Sequence, residues 1–189
     1  MKEILSDIKK ELRANMNGVA SAAMRHTEDY RVNWGIELPR IANIASEFEK
    51  SRELGQALWN ESVRECKILA CMLTPEEEFL DEVCDIWASS IKTEEIATMF
   101  CLYLVKRLPY ASEKAFQWIA SDSHILQCCG YLTLCHLMRE YELSEDSEAE
   151  FLDQASTALN NKYAIKALQL YASKSEEKAD KVKKVADYL

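Results

Sequence analysis

Four polar residues along the chain are each followed by apolar or small residues in one phase. Behind Asn60, Thr93, Asp122 and Asn161, the positions at +3, +6 and +10 read Val63, Cys66, Ala70, then Ile96, Met99, Tyr103, then Ile125, Cys128, Leu132, then Ala164, Ala167, Tyr171. A step of three then four residues traces one stripe of an α-helix, so each of these polar residues is predicted to cap a helix with a buried face. The predicted caps recur after 33, 29 and 39 residues, which is the spacing of helix-pair repeats. Residues 51–59, 75–87, 111–120 and 144–159 supply the first helix of each pair.

The ends of the chain fit the same scheme. Residues 2–13 carry Ile4, Ile8 and Leu12 on one face, and residues 175–188 turn Ala179, Val182 and Ala186 inward and their lysines outward, so both read as capping helices. Pro39 opens a helix, and a short Ala-rich helix follows Asn17-Gly18. Thr74-Pro75 with Glu77 is predicted to form a capping box, and Ser144 with Glu145 and Asp146 a second acidic helix start. Residues 26–35 show no period and are expected to cross between helices. The expected architecture is all-α, a helical-repeat solenoid (an α-α superhelix) forming one domain over residues 1–189. Within it, 1–50 are N-terminal capping helices, 51–173 the repeats and 174–189 the C-terminal cap.

Composition adds two constraints. Only four Gly and three Pro occur in 189 residues that are 48% hydrophobic, leaving little room for linkers and enough apolar surface for a sizeable core. The cysteines, Cys66, Cys71, Cys84, Cys101, Cys128, Cys129 and Cys135, are odd in number, lack a spaced CxxC pair and fall on apolar helical positions. They read as buried free thiols of a reducing compartment. Met1-Lys2-Glu3-Ile4 lacks the apolar run of a signal peptide and no stretch reaches membrane-spanning length, so a cytoplasmic protein without membrane contact is expected.

Charge is unevenly distributed. Residues 1–74 carry 11 basic against 11 acidic residues, residues 75–159 carry 5 against 17, and residues 160–189 carry 7 against 4. The centre would repel a polyanion wherever its acids face it, whereas Lys174, Lys178, Lys181, Lys183 and Lys184 could meet phosphate.

The run Trp34-Gly35-Ile36-Glu37-Leu38-Pro39-Arg40-Ile41-Ala42, followed by Leu58-Trp59-Asn60-Glu61-Ser62-Val63-Arg64-Glu65-Cys66-Lys67-Ile68-Leu69-Ala70, resembles the bacterial DNA alkylation repair family. These are alkylpurine DNA glycosylases of the AlkD type, built from HEAT-like repeats. The similarity continues through Glu77-Glu78-Phe79-Leu80-Asp81-Glu82 and more weakly through Phe116-Gln117-Trp118-Ile119-Ala120-Ser121, covering roughly residues 30–140. The resemblance implies a HEAT-like solenoid with the second helices lining a basic concave groove. There a Trp would stack, an Asp would stabilise the sugar cation as a cationic alkylated purine departs, and a Trp-x-Arg-Arg segment would hold the backbone.

The chain departs from that pattern at its chemical centre. The family's Asn-Trp-Asp-x-x-Asp segment would fall near residues 89–100, yet no Trp lies between Ala88 and Gln117 and no Asp between Ile86 and Ser121. No Arg lies between Leu108 and Met138, and Ile125-Leu126-Gln127-Cys128 stands where Trp-x-Arg-Arg would be. The expected function is therefore a family member acting as a scaffold for nucleic acid or protein, with reduced or absent glycosylase activity. The alternative is an active glycosylase for 3- and 7-alkylated purines in which Glu95 is the catalytic anion.

Candidate phosphate contacts are Arg64, Lys67, Lys106 and Arg107 on the second-helix surface, with Lys181, Lys183 and Lys184 at the C-terminus. Trp34, beside Gly35 in the aperiodic segment, is the candidate stacking residue, while Trp59, Trp87 and Trp118 read as wedges between repeats. His124, Cys128, Cys135 and His136 share a helix, but the two cysteines fall on the core stripe, so no metal and no cofactor are expected. His26, beside Arg25 and Glu28, reads as an exposed histidine. Weak duplex DNA binding, or a basic protein partner on the concave face, completes the expectation.

Overall fold

The computed structural model describes residues 2–27, 30 and 32–186. Met1, Glu28, Asp29, Arg31 and residues 187–189 lie outside the described residues. So do the Glu28 neighbour of His26, the first residue of the leader reading and the Tyr188 end of the last predicted helix.

The chain divides into two compact units, Met1–Leu108 and Pro109–Leu189. The first holds α1 (Lys2–Ala14), α2 (Gly18–Thr27), α3 (Leu38–Ala45), α4 (Arg52–Trp59), α5 (Arg64–Leu73), α6 (Asp81–Ser90) and α7 (Glu94–Tyr103). The second holds α8 (Ala111–Ile119), α9 (His124–Glu140), α10 (Glu145–Thr157), α11 (Lys162–Ala172) and α12 (Glu176–Val185). Among the described residues the extended pairing is a single parallel bridge between Val32 and Val63, and no helix is long and apolar enough to cross a membrane.

In the first unit α5 is central, packed on α4 within its own pair and on α3 and α7 at either side. In the second, α9 pairs with α8 and packs on α11, which in turn meets α10 and α12. The predicted stripes face these contacts: Cys66, Ala70, Cys128, Ala164 and Ala167 have no exposure, while Tyr103 and Ile125 are half-buried. Ile8 and Leu12 of α1 are fully buried, but Ile4 is exposed. All seven cysteines are buried free thiols, and burial pushes Cys66 up to about 12. The α8–α9 contact is close enough that a Cβ on Gly130 would lie 2.7 Å from the Ala115 carbonyl oxygen, so only glycine fits there.

Two of the four predicted caps hold as such. Thr93 Oγ1 accepts the Ile96 N–H and Asn161 Oδ1 accepts the Tyr163 N–H. Asn60 instead terminates α4, and α5 starts at Arg64 behind Val63, whose side chain makes no cap. The reason is tertiary: the Arg64 N–H donates to the Val32 carbonyl at 2.9 Å, so a neighbouring segment supplies the acceptor that a cap would otherwise provide. Before α9 the cap is Ser123 rather than Asp122. The Thr74 capping box is likewise corrected. Thr74 ends α5 with its hydroxyl donating to the Ala70 carbonyl, and Glu76–Glu78 form only a short 3-10 turn before α6. Ser144 caps α10 as expected, and Ser175 caps α12.

Trp59 of α4 and Trp87 of α6 meet between neighbouring pairs as the wedge reading expects. Trp59 and Trp87 stack with ring centroids 4.1 Å apart and an interplanar angle of 4°, flanked by Phe79 and Phe100, and Trp118 is buried in the second unit. Each indole of the stacked pair keeps a polar partner, Trp59 donating to Ser90 Oγ at 3.1 Å and Trp87 to Gln56 Oε1 at 3.3 Å.

Candidate functional site

The aperiodic segment before α3 meets charged side chains from α5 and α7. Gly35 has φ +69, a left-handed conformation, and a Cβ on it would lie 2.3 Å from the Asn17 carbonyl oxygen. That glycine lets the chain turn so that the N–H groups on both sides of it point at one acceptor. The acceptor is Glu65, fully buried in the first turn of α5. It receives the Trp34 N–H at 3.1 Å and the Ile36 N–H at 3.2 Å.

Arg64 completes the junction from the adjacent position. Its Nη1 donates to the Ile36 carbonyl at 2.9 Å and to Glu65 Oε1 at 3.1 Å. Its Nε and Nη2 form a two-point bridge to Glu95 at 2.7 and 2.5 Å. The Tyr30 hydroxyl donates to the same Glu95 carboxylate, and the guanidinium lies 5.9 Å from the Tyr30 ring centre. Burial alone would raise the Glu95 carboxyl. The hydrogen bonds from Arg64 and Tyr30 and the Arg64 charge reverse that, and the carboxyl sits below its ordinary range. Burial and the Glu95 hydrogen bond both raise the Tyr30 phenol.

A pocket of about 230 Å³ opens beside this network. Asn60, Glu61 and Ser62 line it from the α4–α5 turn, Ser90 to Thr93 from the α6–α7 turn, with Trp59, Ile96, Tyr30, Arg64 and Lys67. Glu61 is bridged by Lys9 at 2.5 Å. The Lys67 amino group lies 4.5 Å from the centre of the Trp59 ring and donates to the Trp59 carbonyl, and burial lowers its ammonium below the ordinary lysine value.

The sequence candidates separate on this geometry. Glu95 lies in the first turn of α7 beside the pocket, but as the partner of Arg64 and Tyr30. Arg64 is not on the α5 surface as expected: it is 3% exposed, because two carboxylates and a carbonyl enclose it. Lys67 faces the pocket, half-buried. Lys106 and Arg107 belong to a 3-10 turn after α7, the first half-buried and the second exposed. Trp34 is half-buried with the Arg13 guanidinium 5.7 Å from its ring centre, so a cation already lies over its ring. In the second unit Lys181 bridges Glu148 at 2.5 Å and Glu177 at 3.1 Å, Lys183 bridges Asp180 at 3.2 Å, and Lys184 is exposed. Tyr30 and Glu65 were not singled out from sequence. The signal for Glu65 was an Arg-Glu pair set directly after the predicted stripe residue Val63, where a charged pair needs partners to be buried.

In the first unit the helix pairs α4–α5 and α6–α7 each turn toward one pocket, an arrangement of the helical-repeat class. The family described as DNA alkylation repair enzyme matches residues 8–178, and the chain belongs to that family. Among solved structures it is similar to one described as a new family of proteins related to the HEAT-like repeat DNA glycosylases with affinity for branched DNA structures. The TM-score is 0.85 at 14% identity, covering 96% of this chain and 81% of that one. The fold is thus a HEAT-like helical repeat. No curated protein matches the sequence.

Proposed function

We propose that this chain is a DNA-binding member of the alkylation repair family with reduced or absent base-excision activity. The observation that carries this reading is the state of Glu95. Excision of an alkylated purine through a cationic sugar needs a carboxylate whose charge is free to face the sugar, and here both Glu95 oxygens are held by Arg64 while Tyr30 donates to one of them. An anion already neutralised by a buried guanidinium gains little more from a developing cation. The missing Trp and Asp of residues 89–100 remove the remaining parts of the family's apparatus.

DNA binding draws support from family membership, and the affinity for branched DNA belongs to the structural relative. The test is incubation with methylated duplex DNA, with release of 3- and 7-alkylated purines followed against the spontaneous rate. Release at the background rate is expected. Release above it that Glu95→Gln abolishes would overturn the reading and make Glu95 the catalytic anion.

A further inference from the structure

Lys67 is held differently from the lysines that bridge carboxylates. Lys9, Lys10, Lys50, Lys174, Lys178, Lys181 and Lys183 each bridge a carboxylate. Lys67 has a main-chain carbonyl and an indole face instead, and the pocket carboxylate nearest in sequence, Glu61, is taken by Lys9. Desolvation without a counter-charge favours the neutral amine, whose lone pair is a nucleophile.

The pocket also excludes one kind of ligand. Trp59 has Trp87 on one side and Lys67 near its ring, and the Tyr30 ring has Arg64 beside it, so the aromatic walls offer no clear face for a stacked base. What remains is Ile91 and Ile96 with the polar side chains of Asn60, Ser62, Ser90 and Thr93, and exposed Lys92 on the lining. These surfaces suit a small polyhydroxylated ring with a phosphate at its edge.

We infer that Lys67 is an amine nucleophile toward the aldehyde of a base-free deoxyribose, the residue left in a strand after a purine is lost. This rests on the DNA-binding reading above. The Lys67 nitrogen attacks C1′ of the open-chain sugar, a C–N bond forms, and the carbonyl oxygen leaves as water, giving an iminium. Loss of the C2′ proton to solvent then sends an electron pair toward C3′ and breaks the C3′–O bond, with the 3′ phosphate as leaving group. Hydrolysis of the imine returns the amine, and no oxidant or reductant is involved.

The experiment incubates the full chain with a duplex carrying one abasic site in the presence of borohydride, which reduces the imine to a stable amine, and resolves covalent protein–DNA adduct on a denaturing gel. Binding to the same duplex with a tetrahydrofuran abasic analogue is measured in parallel by fluorescence anisotropy. Wild type is expected to yield an adduct that maps to the Lys67 peptide by mass spectrometry. Lys67→Arg keeps a long basic side chain but cannot form the imine, so it should bind the analogue and lose adduct by about tenfold or more, while Lys10→Met, at an exposed position of α1 away from the pocket, should keep it. Absence of adduct at concentrations where the analogue is bound, or adduct undiminished in Lys67→Arg, overturns the inference. If the duplex is not bound at all, the DNA-binding reading fails by itself, and 2-deoxyribose 5-phosphate with cyanoborohydride decides the chemistry. Labelling of Lys67 ahead of Lys183 and Lys184 sustains the amine role, and labelling no faster than those surface lysines removes it.

Discussion

Two clusters of ion pairs, one in each unit, use the same residue types to opposite ends. In the first unit Arg64 is 3% exposed, Glu65 is 0% exposed, and the charged groups find partners in three separate places, Tyr30, Trp34 and Ile36 before α3, α5 itself, and α7. In the second, Lys174 of the α11–α12 turn and Lys178 and Lys181 of α12 reach Glu142 and Glu148 across the surface, and Glu142 is 64% exposed. Hydrogen bonds from these lysines lower both carboxyls from their ordinary range, but water competes for every partner. A buried pair positions backbone and cannot be exchanged. An exposed pair contributes little to stability and can trade its carboxylate for a phosphate.

The largest effect that would break this comparison is the loss of Arg64. Arg64→Ala leaves Glu65 and Glu95 without their cation inside the first unit, an arrangement that typically costs ~3–5 kcal/mol. Urea unfolding of the full chain should show that loss, and Lys181→Ala measured alongside should leave the midpoint unchanged. Equal small losses for the two variants would mean that the buried network relaxes onto water and positions nothing.

That network also marks the limit of what the sequence could reveal. The stripes of α5, α7, α9 and α11 were legible because helical period and cap chemistry are local, and Thr93 and Asn161 cap as their spacing implies. Asn60 failed as a cap because the acceptor for the α5 N-terminus comes from Val32, some thirty residues away in the chain, and a single sequence carries no trace of that pairing. Arg64 looked like a surface cation for the same reason. Its partners Tyr30, Ile36 and Glu95 are set by the turn at Gly35 and the packing of α5 on α7. Glu95 was found from the position where the family's carboxylate would fall, whereas its neutralisation depends on contacts that only the fold creates.

A second, smaller effect sharpens the comparison through pH. Because the folded Glu95 carboxyl lies below its ordinary value, the unfolded chain binds more protons in the window between the two. Its contribution to stability is therefore full above the ordinary glutamate range and is lost as pH falls through the depressed folded value. Thermal unfolding followed from pH 7 down into that window should show stability declining in wild type, with a shallower decline in Glu95→Gln. Superimposable profiles for the two proteins would show that Glu95 is not preferentially stabilised by Arg64 and Tyr30 in the folded state.

The smallest expected effect on the fold is the most informative about binding. Lys181, Lys183 and Lys184 sit on α12, the first two bridged to exposed or half-buried carboxylates, so reversing all three to glutamate should leave the helix content by circular dichroism intact. Against the acidic stretch of residues 75–159, duplex binding is expected to be no tighter than Kd ~10⁻⁵ M near physiological salt, because few phosphates can be neutralised. If α12 supplies those contacts, the triple reversal removes the measurable affinity and flattens its dependence on salt, while reversal of Lys67 and Lys92 does little. If the pocket in the first unit supplies them, the outcomes exchange places. Submicromolar binding by wild type at physiological salt would defeat both versions, since it requires more paired phosphates than either cluster has cations to offer. It would mean that acidic side chains of residues 75–159 face away from the DNA, and that cations beyond either cluster share in setting the affinity.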